Sequence, residues 1–190
     1  MRTWTRRAAL LALALATAAC SDRGAVNPPV EKFDAAPQLL VNTSATGVRI
    51  SEIHYDNTGT DAGEAIEVSA PLTTDLFGWR VVLYNGSGGA SYDSDLLPIV
   101  GGTVCGDRKV VVVNYAVNGI QNGAPDGVAL VDNNGVLVEF LSYEGTFTAV
   151  GGAANGVLST DIGVSQNGSE LVGSSLQRTS SANTWAASNG

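Results

Sequence analysis

Asp56, Asn57, Asp61 and Glu64 fall within nine residues, flanked by Glu52, His54 and Glu67, and form the densest group of chemically capable side chains in the chain. Oxygen donors crowded into a turn suit Ca²⁺, which takes six to eight oxygen ligands, so Asp56, Asp61 and Glu64 are the candidate calcium ligands. The spacing differs from an EF-hand loop, whose ligands recur at alternate positions around a central glycine and end in a bidentate Glu. A solvated hairpin turn, in which Asx side chains bond their own backbone, accounts for the same residues.

Other chemistries find fewer parts. Strand alternation puts Ile50, Glu52, His54 and Asp56 on one face and Ser51, Ile53 and Tyr55 on the other, which sets the His54 imidazole beside two carboxylates. A catalytic zinc normally takes three protein ligands, and His54 is the chain's single histidine. A carboxylate-only Mg²⁺ site with His54 as base is conceivable on paper but has no further support. No Gly-x-Ser-x-Gly elbow occurs, and Glu64 and Glu67, three apart in a strand, point to opposite faces rather than forming a glycosidase pair. The expectation is a protein without catalytic residues.

These groups must be positioned by strands. Runs rich in Val, Ile, Leu and aromatics predict strands over Gly47–Tyr55, Glu64–Ala70, Gly78–Tyr84, Lys109–Tyr115, Gly127–Val131, Val136–Tyr143 and Ser174–Thr179. Turn residues separate nearly all of them, and Asp132-Asn133-Asn134-Gly135 between two apolar runs marks the clearest hairpin. Seven or more short strands with glycine-rich turns and little helix favour an all-β sandwich over a barrel. Trp79 is expected in the core and Tyr143 as a cap on the sandwich edge. The loop Asn118–Asp126, rich in amides, is a second candidate functional loop, though turn chemistry also accounts for it.

Residues 1–20 read as an export signal: Arg2, Arg6 and Arg7, then the apolar run Ala8–Ala16, then small residues ending at Cys20. The run is too short to span a bilayer. Thr17-Ala18-Ala19-Cys20 resembles a lipobox, which makes Cys20 the expected lipidation site and membrane anchor. An ordinary secretory signal cut near Ala19, or a twin-arginine signal on Thr5-Arg6-Arg7, remains open. Residues 21–46 are polar and proline-containing, as in a tether, and a coil of that length spans about 25–30 Å. Residues 47–190, about 145 of them, match one domain.

Three of the ten basic residues lie in the signal and all eighteen acidic ones beyond it, so the exported chain carries seven against eighteen, a net −11. Arg49, Arg80, Arg108, Lys109 and Arg178 are scattered along the chain, which argues against direct nucleic-acid binding. With Cys20 lipidated, Cys105 has no intramolecular partner, so a structural disulfide is not expected and Cys105 reads as a small buried apolar residue.

In order, ISEIHYDNTGTDAGEAIEV, FGWRVVLYNGSGGASY, VVVVNYAVNGIQNGAPDGVALVDNNG, FLSYEG and STDIGVSQNG resemble the bacterial branch of the lamin-tail domain family, over about Val48–Trp185. The resemblance implies an immunoglobulin-like β-sandwich with no catalytic residues to carry over. It implies a binding, tethering or scaffolding role at the cell surface or in the periplasm, toward a protein or glycan of the cell envelope. Bacterial members often accompany secreted nucleases, phosphatases or other hydrolases, so an accessory domain of such an enzyme is the alternative. Members often continue past the final Trp region into a closing segment, whereas this chain stops at Gly190, and its last strand is expected to be incomplete.

Overall fold

A computed structural model describes residues 47–179 and 183–188. These residues form two β-sheets packed face to face, with no helix among them. Eleven strands run β1 Arg49–His54, β2 Ala65–Pro71, β3 Arg80–Asn85, β4 Ser91–Leu96, β5 Thr103–Cys105, β6 Arg108–Asn114, β7 Asp126–Val131, β8 Leu137–Tyr143, β9 Thr160–Asp161, β10 Ser175–Arg178 and β11 Trp185–Ser188. One sheet has the order β11-β10-β1-β2-β6-β5 and the other β4-β3-β7-β8-β9. All pairings are antiparallel except β8 with β9.

The expected all-β sandwich is therefore present, and each of the seven predicted runs overlaps a strand; four of those strands extend one residue beyond the predicted bounds. β4, β5, β9 and β11 were not predicted. All four are sheet edges, and β4 (Ser91–Leu96) is half-buried at Tyr92 and Asp95 and exposed elsewhere. A strand wetted on both faces needs no hydrophobic alternation, so no periodic signal is available. The Val131–Leu137 hairpin is as expected: Asp132 Oδ1 accepts the N–H groups of Asn134 and Val136, and Gly135 takes the positive φ that closes the turn.

The core fills the space between the sheets, with Ile50, Ile53, Ile66, Val68, Val81, Leu83, Val128, Leu130, Leu141 and Trp79 all buried. Trp79 is inside, as expected. A second, smaller apolar cluster lies on the outer face of the β3-β7-β8 sheet, where Phe140 and Tyr84 pack with Phe147, Ala149 and Ala154 of the segment that follows β8. That cover explains why every residue of β7 and β8 is buried. Gly127 is part of the fit, because an added Cβ would lie 2.5 Å from the Leu141 carbonyl and 3.0 Å from the Phe147 ring.

Three expectations are corrected. Alternation fails in β1: a bulge between Ile50 and Glu52 shifts the register, so Ile50 and Ile53 are both fully buried although three apart. Tyr143 is not an edge cap; it is buried and stacks on Tyr55, ring centroids 3.9 Å apart and 14° from parallel, joining the end of β8 to the end of β1 across the two sheets. Cys105 is half-buried at the end of β5, where a fully buried apolar residue was expected; Cys20, the signal and the tether lie outside the described residues.

Candidate functional site

Antiparallel strands bring loops to two opposite ends of the sandwich. The upper end carries the β1–β2 turn, the β3–β4 loop, the β6–β7 loop and the segments that follow β8 and precede β10. The lower end carries the starts of β1, β3 and β6 and the loops that leave β2 and β4. The residues singled out in the acidic turn collect at the upper end, but they do different jobs there.

His54 is buried, and both its ring nitrogens are engaged by neutral groups rather than the expected carboxylates. Gln166 Oε1 accepts the Tyr55 N–H at 2.8 Å, which leaves Gln166 Nε2 to donate to Ser174 O and to His54 Nδ1 at 3.0 Å. His54 Nε2 therefore carries the proton and donates to Asn57 Oδ1 and Ala62 O, each at 3.2 Å. An imidazole held this way shapes the turn and has no lone pair to offer as base or ligand.

The three candidate calcium ligands separate into a pair and a third residue that faces elsewhere. Asp61 lies beside Asp56, while its own oxygens accept from Asn57 N and Asn122 Nδ2, both at 3.1 Å. Glu64 is fully buried and accepts the backbone N–H groups of Gly119 at 2.8 Å and Ile120 at 2.9 Å, so both its oxygens serve the β6–β7 loop. Among the described residues, no group of three His, Cys, Asp or Glu side chains is arranged to hold a metal ion. The turn's tip, Thr58 to Thr60, is exposed and its Asx side chains bond the turn's own backbone as expected, with Asn57 accepting the Ala62 N–H and Asp61 the Asn57 N–H, but Asn57, Asp61 and Glu64 themselves are buried.

Crowding of like charge is visible in the titration of Asp56. Partial burial raises it first, and the carboxyls of Asp61 and Glu170 add to this, so that it is pushed up to about 6 from an ordinary 3.8. Asp126 is raised too; burial outweighs the two N–H groups, from Gly86 and Gly123, that its carboxylate accepts. The upper end holds Asp56, Asp61, Glu64, Asp126, Glu144, Asp161 and Glu170 and, among the described residues, no lysine or arginine.

Between these groups opens a cleft of about 450 Å³, lined by Asp61, Asn85, Asn118, Gln121, Asn122 and Asp126, with Ile120 and Pro125 on its apolar side. Asn85 Nδ2 bonds Gln121 Oε1 at 2.6 Å across it. Gly86 lets the β3–β4 loop approach, since a Cβ there would meet Pro125 O at 1.9 Å. The acidic turn and the Asn118–Asp126 loop, two separate candidates in the sequence, thus form one site. Glu64 and Asp61 are the side chains that join them.

Sequence reasoning assigned no role to Gln166, which lies in STDIGVSQNG, or to Glu144, whose Oε1 accepts the Tyr55 hydroxyl at 2.9 Å. Their partners are 89 to 112 positions away, beyond any local pattern. It also missed Glu139 and Arg178. These pair across the sheets in the lower half, each about 6% exposed, while Glu139 Oε2 accepts the Ile50 N–H at 2.9 Å and Arg178 lies 5.2 Å from the Trp185 ring.

Fold and site together define a two-sheet β-sandwich with an amide- and carboxylate-lined cleft at one end. No protein-family model matches the chain. No curated protein and no solved structure matches it either.

Proposed function

We propose that this protein is exported and held at the cell envelope through Cys20, and that it acts as a non-catalytic binding module of the lamin-tail, immunoglobulin-like type. Its ligand is a glycan of the envelope, received in the upper cleft. The observation that carries this reading is the cleft's lining. Side-chain amides of Asn118, Gln121 and Asn122 each offer a donor and an acceptor, the pairing that sugar hydroxyls need, and the nearby histidine is committed on both nitrogens. The order of the quoted motifs supports the family assignment.

Cys20 has two fates that exclude each other, since the chain holds two cysteines and a thioether-linked sulfur cannot join a disulfide. Intact mass of the exported protein separates them. A diacylglyceryl adduct on Cys20 is expected; a non-lipidated chain with its cysteines oxidised would remove the anchor from the reading.

The binding role is tested by titrating the full exported chain with neutral envelope oligosaccharides, starting with hexosamine oligomers. Binding is expected, weakened several-fold by Gln121→Ala, whose side chain is exposed, at unchanged melting temperature. No heat or shift with any oligosaccharide would sink the glycan assignment.

A further inference from the structure

The five described cations, scattered in sequence, are gathered in space. Arg49, Arg80, and Arg108 with Lys109 open β1, β3 and β6, and Arg178 ends β10 beside them, so all lie toward the lower end. The upper end has seven carboxylates and no lysine or arginine among the described residues. The lower end also holds Asp75, Asp107, Asp132 and Glu139, the last paired with Arg178, so it is nearly balanced in charge while the upper end is strongly acidic.

The same lower end exposes apolar side chains. A groove of about 240 Å³ runs between the segment after β2 and the segment after β4, lined by Leu72, Ile99 and Val104 together with Pro98, Asp75 and Lys109. Phe77 is 66% exposed, Val100 80% and Leu96 62%, each adjoining a residue of this region in the chain. Elsewhere exposed apolar side chains stand singly or in neighbouring pairs, such as Leu171 with Val172. The chain also enters the domain here: Gly47 O accepts from Arg108 Nη2 at 2.6 Å, so the 46 preceding residues join the fold at the apolar lower end.

We infer that the lower end docks on an anionic phospholipid bilayer, with Phe77, Ile99 and Val100 entering the headgroup layer and Arg80 facing lipid phosphate, while the acidic cleft points away. This rests on the envelope-anchoring reading above. Two observations favour a bilayer over another occupant. Residues 21–46, read from composition as a tether of about 25–30 Å, join the domain on this side and would hold it within reach of lipid. A negative surface repels the end that carries seven carboxylates and tolerates the nearly balanced lower end, which fixes the orientation. Apolar side chains beside basic ones at the rim are the pattern that interfacial binding uses.

The test is hydrogen–deuterium exchange of the full exported chain, free and on vesicles of phosphatidylcholine with one-fifth phosphatidylglycerol, with sedimentation followed in parallel. Amides in 72–79 and 96–102 are expected to exchange several-fold more slowly on vesicles, with 57–63 and 118–124 unchanged. Phe77→Asp with Ile99→Asp should abolish the slowing while the chain still sediments and melts as before, because both side chains are exposed. Sedimentation without slowing at the lower end would overturn the docking and leave the anchor standing. Failure to sediment would remove both. Slowing of the same segments without vesicles, growing with protein concentration, would assign the face to a second copy and overturn the bilayer.

Discussion

Each end of the sandwich buries a glutamate, and the two are kept in place by different means. In the lower half Glu139 meets a cation, Arg178, and a backbone N–H from the bulged strand β1, tying one sheet to the other. At the upper end Glu64 meets no lysine or arginine; two amides of one loop surround it. The difference separates clamping from shaping. An ion pair between sheets holds the sandwich closed, whereas a carboxylate bonded to loop amides sets where that loop stands and so builds the wall of the cleft.

The largest expected effect breaks the clamp. Glu139→Ala strands the Arg178 guanidinium and the Ile50 N–H inside the protein and is expected to cost about 3–5 kcal/mol in urea denaturation. Glu139→Gln keeps an acceptor for Ile50 and should cost less. Glu64→Ala should cost about 2 kcal/mol, because the two N–H groups it leaves lie in a loop that water can reach. It should also speed proteolysis between Asn118 and Asp126. Were Glu64→Ala the more damaging, the division into clamp and shaper would be wrong.

Next in size is the response to pH. Asp56, Glu67, Asp95 and Asp126 are all raised, each chiefly by burial. A carboxylate raised on folding binds its proton earlier in the native state than in the unfolded chain. Stability should therefore rise as pH falls through about 6, the value for Asp56, toward its ordinary 3.8. Melting temperatures at pH 5 are expected to exceed those at pH 7.5, with Asp56→Asn flattening the part near pH 6. A fall in melting temperature over that window would contradict the crowding seen at the upper end.

The smallest effect concerns calcium. With Glu64 occupied by loop amides, only Asp56 and Asp61 are brought together, so Ca²⁺ should raise the melting temperature little beyond Na⁺ at matched ionic strength. A Ca²⁺-specific rise of several degrees, lost in Asp56→Asn, would place an ion between those two carboxylates.

Much of this fold was legible because its signals are local. Val-rich runs broken by Asn-Gly and Asp-Asn-Asn-Gly turns report which segments are strands, and the β7–β8 hairpin follows from four turn residues alone. The candidate site was legible only as a list of residue types. His54 looked like a base among carboxylates until a bulge one turn of the pleat away, and a glutamine 112 positions on, gave it different neighbours.

Strand identity, the inward place of Trp79 and the acidic balance were determined by the sequence itself, since each depends on neighbours within a few residues or on composition. Tertiary structure alone decided the fate of each carboxylate, the Tyr55–Tyr143 stack, the joining of two loops into one cleft and the gathering of five dispersed cations at one end. Those outcomes depend on pairing between strands far apart in the chain, and side-chain alternation carries no information about which strands will pair.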